Sequence, residues 1–328
     1  MENRGDSTGS TFAPSEWVRG GGRLEWIDVA RGIGIIAVVV GHVWTRGPLR
    51  DAVYSFHMPL FFLLSGFLSR PQSPRRFAIR QLVSQMRPYA AYLALLFVAD
   101  QVIEPLKGNR PIFNLRPQDL LPLLLGGSWL SGPYTIFWFV PCLMVSRILF
   151  NALYVRWPDP LDCRWAVAIV PAFLGGYLLG KLTQVSVLGL LTVPMGLALL
   201  WLGAIAQRVS WRRWMWWPLT MLSLAGLSGL LPTLNMKAAD YGMPMLSIAS
   251  GVASALLVFR LSVRISSFAG WLAGVGRASL AIMYLHVAVI HYLTPYLAKP
   301  WLLLHALLGP IAAYYIFRAS PWGRRLFL

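Results

Sequence analysis

Apolar runs of roughly membrane-crossing length follow one another from residue 27 almost to the end of the chain. They lie near 27–45, 52–68, 89–104, 134–155, 165–180, 186–206, 214–233, 243–259, 279–296 and 301–317, with short polar stretches between them. The pattern predicts an all-α, polytopic membrane protein of about ten transmembrane helices. Pro59, Pro141, Pro171, Pro194 and Gly196 interrupt several runs. The stretch LLPLLLGGSWLS at 120–131 is too short to span and reads as an interfacial or re-entrant piece. Residues 1–22 are polar and rich in Gly, Ser and Thr, which suits a disordered cytoplasmic arm and not the apolar core of a signal peptide. The membrane domain is expected over 23–318, with a short cytoplasmic tail at 319–328.

Composition sharpens this reading. Of 328 residues, 57% are apolar and only 12% charged, about half the charged share of a soluble domain. The mean hydropathy of +0.59 agrees. Two cysteines, Cys142 and Cys163, exclude a disulfide scaffold, and no metal-ligand spacing is present. The net charge of +17 would suggest nucleic acid for a soluble chain. In a membrane chain it marks arginines held in cytoplasmic loops, so no nucleic-acid partner is expected. With both termini inside, the inner segments hold nineteen Lys/Arg and the outer loops eight, while Arg31 and Arg147 fall within spans. This bias predicts cytoplasmic termini and an even number of spans.

Ionisable groups at membrane depth are costly and usually face a cavity, so they carry the chemistry. The first span, RLEWIDVARGIGIIAVVVGHVW, places Asp28 and Arg31 three residues apart, near enough to pair. Arg31 and His42 are eleven apart, which returns to within about 20° of one helix face after a rise of about 16 Å. His57, just before Pro59 in the second span, is expected at the depth of His42 and in the same cavity. Ser65 and Gly66 should admit a neighbouring helix closely. His286 sits inside the ninth span; His291 and His305 read as structural or interfacial. Asp100 and Glu104 end the third span on the outer side, where they could bind a substrate hydroxyl but are expected to meet water. The first inner loop is expected at SRPQSPRRFAIRQLVSQMRPY, which carries five arginines and no acid. It is either a topology signal that contacts anionic membrane lipids or a docking site for a phosphorylated cytosolic ligand.

Arg31-x10-His42, then SFHMPLFFLLSGFL at 55–68 and the arginine-rich segment, resemble acyltransferase family 3. WFVPCLM at 138–144 (with Trp138) and SLAIMYLH at 279–286 (with His286) resemble two further signatures of that family, so the likeness covers most of 23–318. RLEWIDVARGIGI and FHMPLFF look most like its fucose-4-O-acetylase and exopolysaccharide (xanthan-type) acetyltransferase branch. Family members with a soluble hydrolase-like extension differ from this chain.

The resemblance implies a bacterial inner-membrane enzyme that moves an acetyl group from cytosolic acetyl-CoA to a sugar hydroxyl of an exopolysaccharide or its lipid-linked oligosaccharide precursor. It implies no permanently bound cofactor. Catalytic roles fall to His42, Arg31 and His57, and acetyl-CoA contacts to Arg75, Arg76 and Arg80. Asp28, Ser65, Trp138 and His286 support them. His42 would take the hydroxyl proton, or would accept the acyl group itself and pass it on. A lipid-linked sugar transporter or flippase is the competing reading; a structural subunit of an export complex would not need Arg31 and His42 on one stripe.

Overall fold

The computed structural model describes residues 25–114 and 116–328; the expected polar arm at 1–22 lies outside them. Fourteen α-helices account for most of the described residues, and the one extended pairing among them is an isolated bridge, Asn235 with Asp240. The first half comprises α1 (Glu25–Val43), α2 (Pro48–Tyr54), α3 (His57–Phe67), α4 (Pro74–Leu106), α5 (Pro117–Leu125), α6 (Phe139–Arg156) and α7 (Cys163–Leu182). The second comprises α8 (Val193–Arg208), α9 (Trp216–Leu227), α10 (Pro244–Ile265), α11 (Gly270–Arg277), α12 (Ser279–Leu293), α13 (Lys299–Ala319) and α14 (Pro321–Phe327).

Among the described residues, seven helices are long and apolar enough to cross a membrane, or eight if α11 and α12, bent by 73°, form one broken span. The two remaining expected spans, 52–68 and 214–233, fall on shorter pieces. The first is split into α2 and α3 at Ser55–Phe56. A proline ring clashes with the carbonyl four residues earlier, and for Pro59 that carbonyl belongs to Ser55. The helix therefore restarts at His57, where Pro59 sits in the first turn and its missing N–H costs nothing. The second expected span contributes only the twelve residues of α9. Residues 120–131 form α5 and a 3-10 turn, too short to cross, as expected.

The arginine-rich segment is not a loop. Pro74 starts α4, which runs for 33 residues, about 50 Å against a hydrocarbon core of about 30 Å. Its first turns carry Arg75, Arg76, Arg80 and Arg87, all exposed. The tail is likewise helical: the Phe327 ring of α14 stacks on Phe317 at 4.1 Å and meets Tyr92 of α4 edge-on.

α1 is the central helix, 67% buried, with α3, α10, α11 and α12 packed around it. α4, α7 and α13 are 17–28% buried and turn apolar side chains such as Val98, Leu178 and Ile316 outward, as lipid-facing helices do. Without a hydrophobic drive between helices in lipid, close backbone contact holds such bundles together. Gly276 of α11 lies so near α1 that a Cβ there would stand 1.8 Å from the Asp28 carbonyl oxygen. Gly66 of α3 meets the Leu200 carbonyl of α8 in the same way, at 1.9 Å, which is the close approach expected of Ser65-Gly66.

Candidate functional site

Both marked residues of α1 open into cavities, one at each end. At the far end of the helix, His42 lines a cavity of about 290 Å³ with His57, Arg50, Tyr54, Trp138 and Lys237. Gly41 lets the Tyr54 ring settle against α1 beside it, since a Cβ there would stand 2.8 Å from that ring. Tyr54 then meets His57 edge-on, with ring centroids 4.7 Å apart. His286 of α12 completes the group from behind, its Nε2 3.5 Å from Nδ1 of His42.

Backbone contacts fix the tautomers. Nδ1 of His42 lies 2.9 Å from the Val38 carbonyl, Nδ1 of His57 2.7 Å from that of Val53, and Nδ1 of His286 2.7 Å from that of Ile282. A carbonyl only accepts, so in each ring Nδ1 carries the hydrogen and donates it, leaving Nε2 with its lone pair. His286 Nε2 thus accepts from the same N–H that His42 shares with Val38. His42 Nε2 remains a proton acceptor. The sequence brought His42 and His57 into one cavity correctly, but the ring that touches His42 is that of His286.

A second contribution arrives from loops. Met236 is buried, and its carbonyl accepts the Thr192 hydroxyl at 2.6 Å. This anchors the turn 235–240 and holds Lys237 against the 3-10 turn Gly132–Trp138. Lys237 Nζ donates to the Leu130 carbonyl at 3.2 Å and to the Thr135 hydroxyl. Burial lowers its pKa from the ordinary lysine value.

At the near end, Arg31 lines a cavity of about 210 Å³ with Arg147, Ser65, Gln85 and Phe139. Arg31 pairs with Asp28 at 3.6 Å, as the spacing predicts. Arg147 lies over the Phe77 ring at 5.9 Å, and Arg80 approaches the same ring at 5.6 Å. Arg80 also donates to the Gln72 amide oxygen. So Arg80 stands one ring away from the cavity, whereas the exposed Arg75 and Arg76 are not among its lining residues.

Between the two lies an apolar neck of about 110 Å³, lined by residues including Ile35, Val38, Val140 and Leu280. It shares Phe61, Gln85, Phe139 and Leu143 with the arginine cavity and Met58 and Ile136 with the histidine cavity. The three spaces therefore lie end to end along α1.

Asp100 and Glu104 do not meet water; both are buried. Asp100 accepts from the Tyr292 hydroxyl at 3.1 Å and the Ile112 N–H at 2.8 Å. Glu104 accepts from Asn109 at 2.8 Å and faces His291 Nε2 at 3.3 Å. They pin the turn after α4, so His291 is structural here, as expected. In the sequence Arg147 stands out only as a charge within a span, and Lys237 and Arg50 bear only on topology. The cost of a cation at membrane depth was the signal for Arg147. Nothing local marked the other two.

No curated protein and no solved structure matches the chain. The acyltransferase domain model of family 3 matches residues 24–317, nearly all of the chain and every residue lining the three spaces. The chain therefore belongs to acyltransferase family 3 and is a multi-pass membrane acyltransferase.

Proposed function

We propose that the protein is an O-acetyltransferase of a bacterial inner membrane. It moves an acetyl group from cytosolic acetyl-CoA to a sugar hydroxyl of an exopolysaccharide or its lipid-linked repeat unit, as in the exopolysaccharide branch of the family. The observation that carries this reading is the end-to-end run of arginine cavity, apolar neck and histidine cavity. Guanidinium forks suit the phosphates of CoA, a mostly apolar neck that also carries Gln85 and Ser279 admits its uncharged pantetheine arm, and imidazole suits acyl transfer.

In this scheme Arg31 and Arg147 face the cytosol and hold the phosphate end, with Arg80 beside them. Asp28 fixes Arg31 through the ion pair, and Ser65 offers a hydroxyl to the same cavity. The thioester reaches the far cavity, where the acceptor hydroxyl lies against Trp138 and His57. His42 Nε2 takes the hydroxyl proton as the oxygen attacks the thioester carbonyl carbon. The tetrahedral intermediate collapses, the carbon–sulfur bond breaks, and His42 returns the proton to the departing thiolate. His286 holds the His42 ring in place through the shared Nδ1–H.

The test is the acetyl content of surface polysaccharide from cells lacking the protein, restored with wild type or with His42→Ala. Loss of one acetyl group in the deletion and the variant strain, with restoration by wild type, is the expected outcome. Full acetylation in the variant would remove His42 from the chemistry, and loss of polymer export would turn the reading toward a transporter. A reporter fused after Leu328 should report a cytoplasmic C-terminus.

A further inference from the structure

The histidine cavity carries two positive side chains, Lys237 and Arg50, and among the described residues no carboxylate lines it. Arg50 is partly neutralised: its guanidinium lies over the Tyr54 ring at 4.1 Å and donates to Asp51 at 2.8 Å. Lys237 has no ion-pair partner among the described residues, and its two hydrogen bonds go to neutral oxygens. An ammonium has three N–H groups, so one remains for an occupant of the cavity. Holding an ammonium half-buried without a counter-charge costs folding free energy. A neutral donor would tie the turn to Leu130 and Thr135 at less cost. The buried Met236, the Thr192 contact and the Asn235–Asp240 bridge nevertheless hold the lysine in position. The cavity, about 290 Å³, is at the lower end of small-molecule pockets and takes one sugar-sized group. Trp138 and Tyr54 contribute aromatic carbons to its wall.

We propose that Lys237, with Arg50, forms an anion subsite, and that the acceptor brings a carboxylate or phosphate group into the cavity next to the hydroxyl it offers. This rests on the acetyltransferase reading of the same cavity and narrows its acceptor to an acidic sugar or a sugar phosphate, including the phosphate end of a lipid-linked unit. The lysine then acts on binding: it selects and orients the acceptor, while proton transfer belongs to His42.

Full-length protein in lipid nanodiscs is titrated with methyl β-glucuronide, glucose 1-phosphate and the neutral methyl β-glucoside, with acetyl-CoA binding followed alongside. Wild type should bind at least one anionic sugar about tenfold or more tightly than the neutral one, the size expected of one charged hydrogen bond. Lys237→Gln should remove that preference, Lys237→Arg should keep most of it, and acetyl-CoA binding should stay unchanged in both, which also shows that they fold. Preference for the glucuronide identifies a carboxylate, and preference for the phosphate identifies a sugar phosphate. Equal binding, or no binding, of all three sugars by a protein that binds acetyl-CoA overturns the proposal. So does a Lys237→Gln variant that slows transfer to every acceptor alike without altering sugar binding, because the charge would then serve the transition state. Anion binding without acetyl transfer to any acceptor leaves the subsite standing and removes the acetyltransferase reading instead.

Discussion

Arg31 and His42 share one face of α1, yet the two ends of that helix are made of different materials. The near cavity gathers cations from α1 and α6; the far cavity is lined by imidazoles from α1 and α3, with the α12 imidazole of His286 behind His42. The near residues are held by an ion pair and by aromatic rings, contacts that leave long side chains room to adjust. The far rings are each locked to the backbone oxygen of the residue four positions earlier, with Nε2 left for the cavity in His42 and His57 and engaged by His42 in His286. On the proposed function, one end grips and the other reacts, and a narrow apolar neck keeps the two tasks apart.

The strongest way to break that comparison is His42→Ala. Transfer from labelled acetyl-CoA by purified enzyme should fall by about two to four orders of magnitude in kcat, the usual contribution of a positioned general base. The KM for acetyl-CoA should hardly move; a raised KM with kcat intact would mean that the two ends are not divided as described. Blocking the neck comes next. Leu280→Trp adds bulk to a space of about 110 Å³, and transfer should drop severalfold to a hundredfold while CoA binding at the arginine end persists. Arg147→Ala should do the reverse of His42→Ala, raising the KM for acetyl-CoA roughly tenfold to a hundredfold through a lost charged hydrogen bond, with kcat nearly kept. His286→Asn should lower kcat about two- to tenfold and leave that KM alone. Smallest of all, Arg80→Ala should raise the KM by about threefold or less, and Arg75→Ala by less still, since its guanidinium stands in the open.

Much of this division was readable in the sequence because it lies on single helices. The Arg31–His42 stripe follows from 3.6-residue periodicity, and the depth of His57 follows from two antiparallel runs. The His42–His286 contact joins residues 244 positions apart, and no local pattern encodes the rotation of α12 that brings it about. The arginine-rich stretch looked like a loop because it is polar; helix geometry depends on the proline at its start and not on hydropathy. Asp100 and Glu104 looked wet for the same reason: their partners, Tyr292, Ile112, Asn109 and His291, come from a turn and a distant helix. Lys237 reaches its position through a turn anchored by a buried methionine, which hydropathy reads as one more apolar residue.

A run of cavities along a membrane protein, with imidazoles in its path, is a hazard for a cell that stores energy as a proton gradient. Relay through a histidine needs a hydrogen to enter at one nitrogen and leave from the other. Here each Nδ1–H ends on a carbonyl oxygen, which cannot pass a proton onward, and the His42 to His286 step ends at the Ile282 carbonyl. A proton taken up at His42 Nε2 can move on only through Nδ1–H to His286 Nε2, and since His286 Nδ1–H ends on the Ile282 carbonyl it must return by the same route. The same hydrogen bonds that set the rings for chemistry therefore end a histidine relay at the Ile282 carbonyl.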